Sequence, residues 1–143
     1  MFYLVKTIKT EAGLQASVPS IPELEPVTVK TEEEATKKLA TMLPTVLQTH
    51  YRKTKRPVPF PNDDVSDQLA VQMPIKVQAK ILLWNYMLEN RYRVADLARL
   101  LKISHPQAQR LVDFDREGAS LDAIEDALFA IGAYFELTLH KFD

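Results

Sequence analysis

The chain has 143 residues, 46% hydrophobic and 26% charged, with a formal net charge of −1. That composition is globular, and its near-neutral charge excludes a general nucleic-acid coat, so any nucleic-acid binding must be local and patterned. The lack of cysteine excludes disulfides, thiolate chemistry and cysteine-ligated metals, and apolar runs such as Ile81 to Trp84 are far too short to span a bilayer.

Met1 to Lys9, rich in Phe, Tyr, Val and Ile, reads as a first strand. Thr10-Glu11-Ala12-Gly13 follows as a hairpin turn with Gly13 the positive-φ residue. No charged segment precedes a long apolar stretch, so no signal peptide is expected and the cytoplasm is the default location. Leu14 to Val18 is the second strand. Pro19, Pro22 and Pro26 then punctuate an extended connection to a short β-branched strand, Val27-Thr28-Val29.

Thr31 caps a helix whose first turn holds Glu32, Glu33 and Glu34, favourable at the positive end of the helix dipole. Its inward face is Ala35, Leu39, Met42, Leu43, Val46, Leu47 and Tyr51, and Pro44 is expected to kink it. Arg52, Lys53, Lys55 and Arg56 close the helix. Complementing its negative end is the simpler role for them, an anion or RNA contact the other. Pro57, Pro59 and Pro61 stiffen the next link, and Leu69 to Met73 is a fourth strand. The predicted order is β-β-β-α-β, one helix on one antiparallel sheet, filling a domain over 1–73.

Pro74 opens an all-helical domain over 74–143. Ile75 to Asn90 is a long helix with Val77, Ile81, Trp84 and Leu88 on one face. Two short helices follow within Arg93 to Val112, joined at a tight turn. Val94, Leu97, Ala98 and Leu101 share one face of the first, and Ala108, Leu111 and Val112 one face of the second. Ala98 is small where two helices cross, Ser104 is a good N-cap, and Pro106 is tolerated in a first turn. The opposite face of the second helix is expected to carry Pro106, Gln109, Arg110 and Asp113, flanked by His105 and Gln107. Gln and Arg can make bidentate bonds to adenine and guanine edges, so the pair reads as a helix-turn-helix for sequence-specific DNA binding.

Charge supports that assignment. Between Asn90 and Arg116 six basic residues face three acidic ones, a local excess of +3, whereas past Gly118 five acidic residues face only Lys141. Segregation of this kind is expected where one face meets phosphate. The candidate DNA contacts are Arg93, Lys102, Ser104, His105, Gln107, Gln109 and Arg110, with Arg93 and Lys102 placed to straddle backbone. A helix from Ser120 to Ile131 ends at Gly132. Tyr134 to Leu139 then alternates Phe135, Leu137 and Leu139 with Glu136 and Thr138, a strand with no partner in its own domain. The simplest mate is the same strand of a second chain, so Phe135, Leu137 and Leu139 are the expected dimerisation residues.

Taken together the chain resembles the HicB antitoxin family of bacterial toxin–antitoxin pairs, in its variant with a C-terminal phage-repressor-like helix-turn-helix. The residues that carry the likeness are Phe2 to Lys9, Gly13, Val18 to Pro22 with Leu24, and Thr31-Glu32-Glu33-Glu34-Ala35. Val58-Pro59-Phe60-Pro61, the strand ending at Met73-Pro74, and the helix pair complete the pattern. The sequence departs from that pattern in its single hairpin glycine, in Pro22-Glu23-Leu24-Glu25-Pro26, and in Lys102 where a glycine is usual. The resemblance implies an α+β protein whose partial RNase H-like domain, within 1–73, binds and blocks a HicA-type ribonuclease toxin. The second domain would bind a palindromic operator and repress the operon, as a homodimer or a pair of dimers, with no membrane involved. The residues alone leave open a repressor that senses a small ligand instead of a toxin.

Catalysis is not expected, despite the RNase H-like outline. Two-metal nucleases need several converging carboxylates, and the three N-terminal strands contain no Asp or Glu. Asp63, Asp64 and Asp67 sit in a Pro-rich loop, and His50, His105 and His140 lack metal-ligand spacing. With three glycines there is no phosphate loop either. No catalytic residue, metal site or cofactor is assigned.

Overall fold

The computed structural model describes residues 2–60 and 68–141. Its elements are β1 (Phe2–Leu4), β2 (Lys6–Thr10), β3 (Gly13–Ser17), β4 (Val27–Val29), α1 (Glu32–Leu47), a π-helical turn (Gln48–Arg52), β5 (Ala70–Gln72), α2 (Ile75–Glu89), α3 (Val94–Leu101), α4 (His105–Arg110) and α5 (Leu121–Ala130). The class is α+β, as the sequence predicts. The loop with Asp63, Asp64 and Asp67 lies outside the described residues.

The expected first strand is two. It breaks at buried Val5, whose N–H donates to the Leu69 carbonyl at 2.9 Å. β1 pairs antiparallel with β5, Tyr3 opposite Val71, while β2, β3 and β4 form a separate antiparallel sheet with Leu14 between Lys9 and Val29. One sheet is expected because the Phe-, Tyr-, Val- and Ile-rich composition continues past Val5 with no turn residue to mark a break. Gly13 does take a positive φ, and a Cβ there would lie 2.7 Å from the Val29 carbonyl oxygen. Glycine is therefore required by close approach of backbone as well as by the turn.

Thr31 Oγ1 accepts the Glu34 N–H at 3.1 Å, and Glu34 Oε2 accepts the Lys30 N–H at 3.2 Å, fixing the start of α1. Ala35, Leu39, Leu43, Leu47 and Tyr51 are buried at four-residue steps, against β4 and β5. The helix continues through Pro44 and changes winding at Gln48, where the π-helical turn begins. That turn buries Gln48, Tyr51 and Arg52 together.

α2 was expected to bury one face. Instead Ala79, Lys80, Ile81, Leu83, Trp84 and Met87 are all buried, because α2 has structure on both sides. Toward the N-terminal half, Trp84 Nε1 donates to the Arg56 carbonyl at 3.0 Å. Asn85 exchanges two hydrogen bonds with the Val58 backbone, at 2.8 and 2.9 Å. Toward the other half, the Tyr86 hydroxyl donates to the Ile131 carbonyl at 3.3 Å. The apolar core consequently runs without interruption from Tyr3 to Ile131.

Tyr134 to Leu139 is not a strand in the single chain. Leu137 and Leu139 are 88% and 98% exposed, and only Phe135 of the three packs against the core. A lone extended segment has no ladder to satisfy its backbone groups, and among the described residues none pairs with it. No helix among the described residues is long and apolar enough to cross a membrane.

Candidate nucleic-acid interface

α3 and α4 meet at a turn of defined geometry. The Arg93 N–H donates to Asp96 Oδ2 at 2.8 Å to start α3, and Asp96 Oδ1 accepts Arg99 at 3.1 Å. The backbone hydrogen bond from Arg93 and the two nearby guanidinium groups hold the Asp96 carboxyl below the usual aspartate range. α3 ends at Lys102, in the left-handed region with φ 56° and ψ 45°, and the Ile103 N–H bonds back to the Ala98 carbonyl at 3.0 Å. This is a Schellman-type stop with lysine where glycine is unstrained. Ser104 and Gln107 then form a reciprocal capping box, at 2.9 and 3.2 Å, that starts α4. Val94, Leu97, Ala108, Leu111 and Val112 are buried between the helices and the core.

The seven predicted contacts differ in freedom. Arg93, Lys102, Ser104, His105, Gln107 and Arg110 are exposed. Arg110 lies along Gly118, where an added Cβ would stand 2.6 Å from Arg110 Cδ, so the glycine makes room for the arginine stem. Gln109 is half-buried and held at both ends. Arg52 Nη2 donates to its Oε1 at 2.5 Å, and its Nε2 lies 3.0 Å from His105 Nε2. Of the residues expected on the outer face, Asp113 is misplaced: it is only 8% exposed. α4 stops at Arg110, so the helical period that pointed Asp113 outward no longer applies.

Asp113 instead anchors a buried polar network that the sequence did not disclose. Gln48 Nε2 donates to Asp113 Oδ1 at 3.0 Å, and the Phe114 N–H donates to Gln48 Oε1 at 2.9 Å. The Lys80 ammonium donates to the carbonyls of Asp113 and Arg116 at 2.9 and 2.6 Å. Arg52 stacks on Trp84, 4.6 Å from the ring centroid, with its Nε 3.9 Å from Asp113 Oδ1. It was expected to complement a helix end at the surface, and it is buried instead. Burial pulls both the Arg52 and Lys80 pKa values below their usual ranges, and the Asp113 charge opposes that shift in each. Between the π-helical turn and α4 lies a polar cleft of about 420 Å³, lined by Arg52, Lys53, Gln109 and Arg116 among others. Among the described residues no three His, Asp or Glu side chains converge in a way that could hold a metal ion.

A curated relative, Antitoxin HicB 2 of Photorhabdus laumondii subsp. laumondii, is 34% identical over 137 residues, covering 96% of this chain and 95% of its own. The chain belongs to the HicB antitoxin family. Antitoxin HicB of Pseudomonas fluorescens is 36% identical over 76 residues, 51% of each chain. Antitoxin HicB 1 of P. laumondii subsp. laumondii is 26% identical over 129 residues, 90% of this chain and 80% of its own. No family model matches the chain. The first likeness reaches across both halves of the fold, so the family relation rests on the helical half as well as the sheets.

Proposed function

We propose that the chain neutralises a HicA-type ribonuclease toxin by direct binding and represses its own operon by sequence-specific DNA binding. Kinship to the HicB antitoxins along 96% of the chain carries the first role. The α3–α4 unit carries the second: a capped helix whose exposed Arg110 stands away from the buried Ala108 and Leu111. On this assignment α4 is the recognition helix of a helix-turn-helix, entering the major groove from its capped N-terminus. Arg110 and His105 face base edges. Gln109 joins them only on release from Arg52, while Arg93 and Lys102 hold phosphate.

The roles divide at Pro74. Residues 1–73, in a partial RNase H-like arrangement, present the toxin-binding surface, and 74–143 present the DNA-reading and dimerisation surfaces. The exposed Leu137 and Leu139, continuous with Phe135, suit pairing with the same segment of a second chain. Two DNA-reading helices so joined would match a palindromic operator. The test is to titrate the full chain against RNA cleavage by the small ribonuclease encoded beside it, and against a duplex carrying its own promoter. Stoichiometric inhibition and promoter binding support the proposal. Undiminished cleavage in the presence of a saturating chain, or no preference for the promoter over random duplex, overturns the corresponding half.

A further inference from the structure

We infer that the basic turn after α1 is a second phosphate-contact site for duplex DNA, carried by Lys53 and Lys55, so that the DNA footprint is shared between the two halves. The inference rests on α4 being the groove-entering helix.

Four cations occupy this turn, and the structure separates them into two kinds. Arg52 is buried on Trp84 and Gln109, and Arg56 pairs with Glu23 at 3.0 Å while stacking 4.5 Å from the Tyr51 ring centroid. Lys53 and Lys55 are exposed, and neither forms an ion pair among the described residues. The helix end does not require them. Its carbonyls are met by backbone N–H groups, Lys53 to Gln48, Lys55 to Arg52 and Arg56 to Tyr51, and Arg52 already supplies charge within the last turn. Lys55 moreover sits at φ 58°, in the left-handed region where a lysine is strained and a glycine is not.

Position gives the two free ammonium groups a partner. Lys53 lines the same cleft as Gln109 and Arg116, on the flank of α4. The bonds of Arg52 to Gln109 and of Gln48 to Asp113 and Phe114 fix the turn to α4, so both move as one body. A helix about 10–12 Å across fills a major groove about 12 Å wide, so whatever flanks the helix stands over a phosphate strand. On this proposal Arg110 faces the groove and Lys53, at the rim of the cleft, faces the backbone beside it, with Lys55 two residues further along the same exposed turn.

The test is the salt dependence of full-length chain binding to its promoter duplex and to random duplex, for wild type, Lys53→Gln/Lys55→Gln and Arg110→Ala. Each lost phosphate contact lowers the slope of log K against log salt by about one. The double variant is expected to lose about two units of slope per bound protomer on both duplexes, with its thermal midpoint and toxin inhibition unchanged. An unchanged slope in the double variant, while Arg110→Ala loses promoter preference, overturns the shared footprint and leaves the recognition helix standing. A double variant that instead loses toxin inhibition assigns the turn to the toxin interface and also overturns it. A wild-type chain that binds neither duplex overturns both.

Discussion

Lys102 holds φ 56° at the stop of α3, where glycine would carry no steric cost. A left-handed lysine costs about 1–2 kcal/mol, and glycine returns part of that through a more flexible unfolded chain. Lys102→Gly is therefore expected to raise stability by up to about 1 kcal/mol while lowering DNA affinity and the salt slope by one contact. Thermal unfolding beside a binding titration reads both signs, and a loss of stability would show that the turn draws on the lysine side chain. Asp113 has the opposite character. Removing its carboxylate strands the Gln48 amide and leaves Arg52 buried without its counter-charge, so Asp113→Ala is expected to cost roughly 3–5 kcal/mol in chemical denaturation. A cost under about 1 kcal/mol would mean that water replaces the carboxylate. Residues whose partners are three positions away, such as Thr31 and Ser104, are legible from sequence because a cap is a local device. Gln48, Lys80, Arg52 and Asp113 are not. Their partners lie 33 to 66 residues distant, and nothing in a helix end foretells which cation will be covered.

Among the elements, α3 is readable from its buried Val94 and Leu97 and α4 from its Ser104 cap, although Leu111 and Val112, expected on the inner face of α4, are buried beyond its end at Arg110. α2 was misread as one-faced, since a helix between two layers loses its period. The missing strand at Tyr134–Leu139 has a related cause: alternation reports a capacity to pair, and a single chain offers no edge to pair with. Substituting Leu137→Asp places a charge on the proposed self-pairing face without touching the core, because Leu137 is 88% exposed. It is expected to shift sedimentation from dimer to monomer and to weaken promoter binding in step, and an unaltered dimer would move the interface elsewhere. The start of α3 carries a pH dependence. Asp96 is held below its ordinary aspartate value of 3.8 by the Arg93 N–H first, with both arginines helping. A lowered carboxyl pKa stabilises the fold fully above the unfolded value, and this is lost as pH falls through the folded one. Asp96→Asn is expected to flatten that acid limb of the stability curve, measured by denaturation from pH 6 downward. An unchanged limb would assign it to other carboxylates.

For the whole molecule, the two proposed roles share one continuous core. The sequence divides at Pro74 because composition changes there from β-rich to helical, yet Trp84, Asn85, Gln48 and Arg52 tie the halves together through side chains. The change from β-rich to helical structure along the chain is legible in composition; the physical joint is not, because it consists of pairings between distant residues. The joint gives the proposed DNA footprint its extent, as the turn after α1 travels with α4. Gly118 sets the pose of Arg110 within that footprint. The central claim is that α4 reads sequence through Arg110, and a bidentate base contact is worth roughly 1–3 kcal/mol of discrimination. The most direct measurement is the ratio of promoter to random-duplex affinity for wild type and Arg110→Ala at fixed salt. The ratio is predicted to fall by about 5- to 150-fold per half-site while random-duplex binding changes little. Equal losses on the two duplexes would contradict sequence reading by α4.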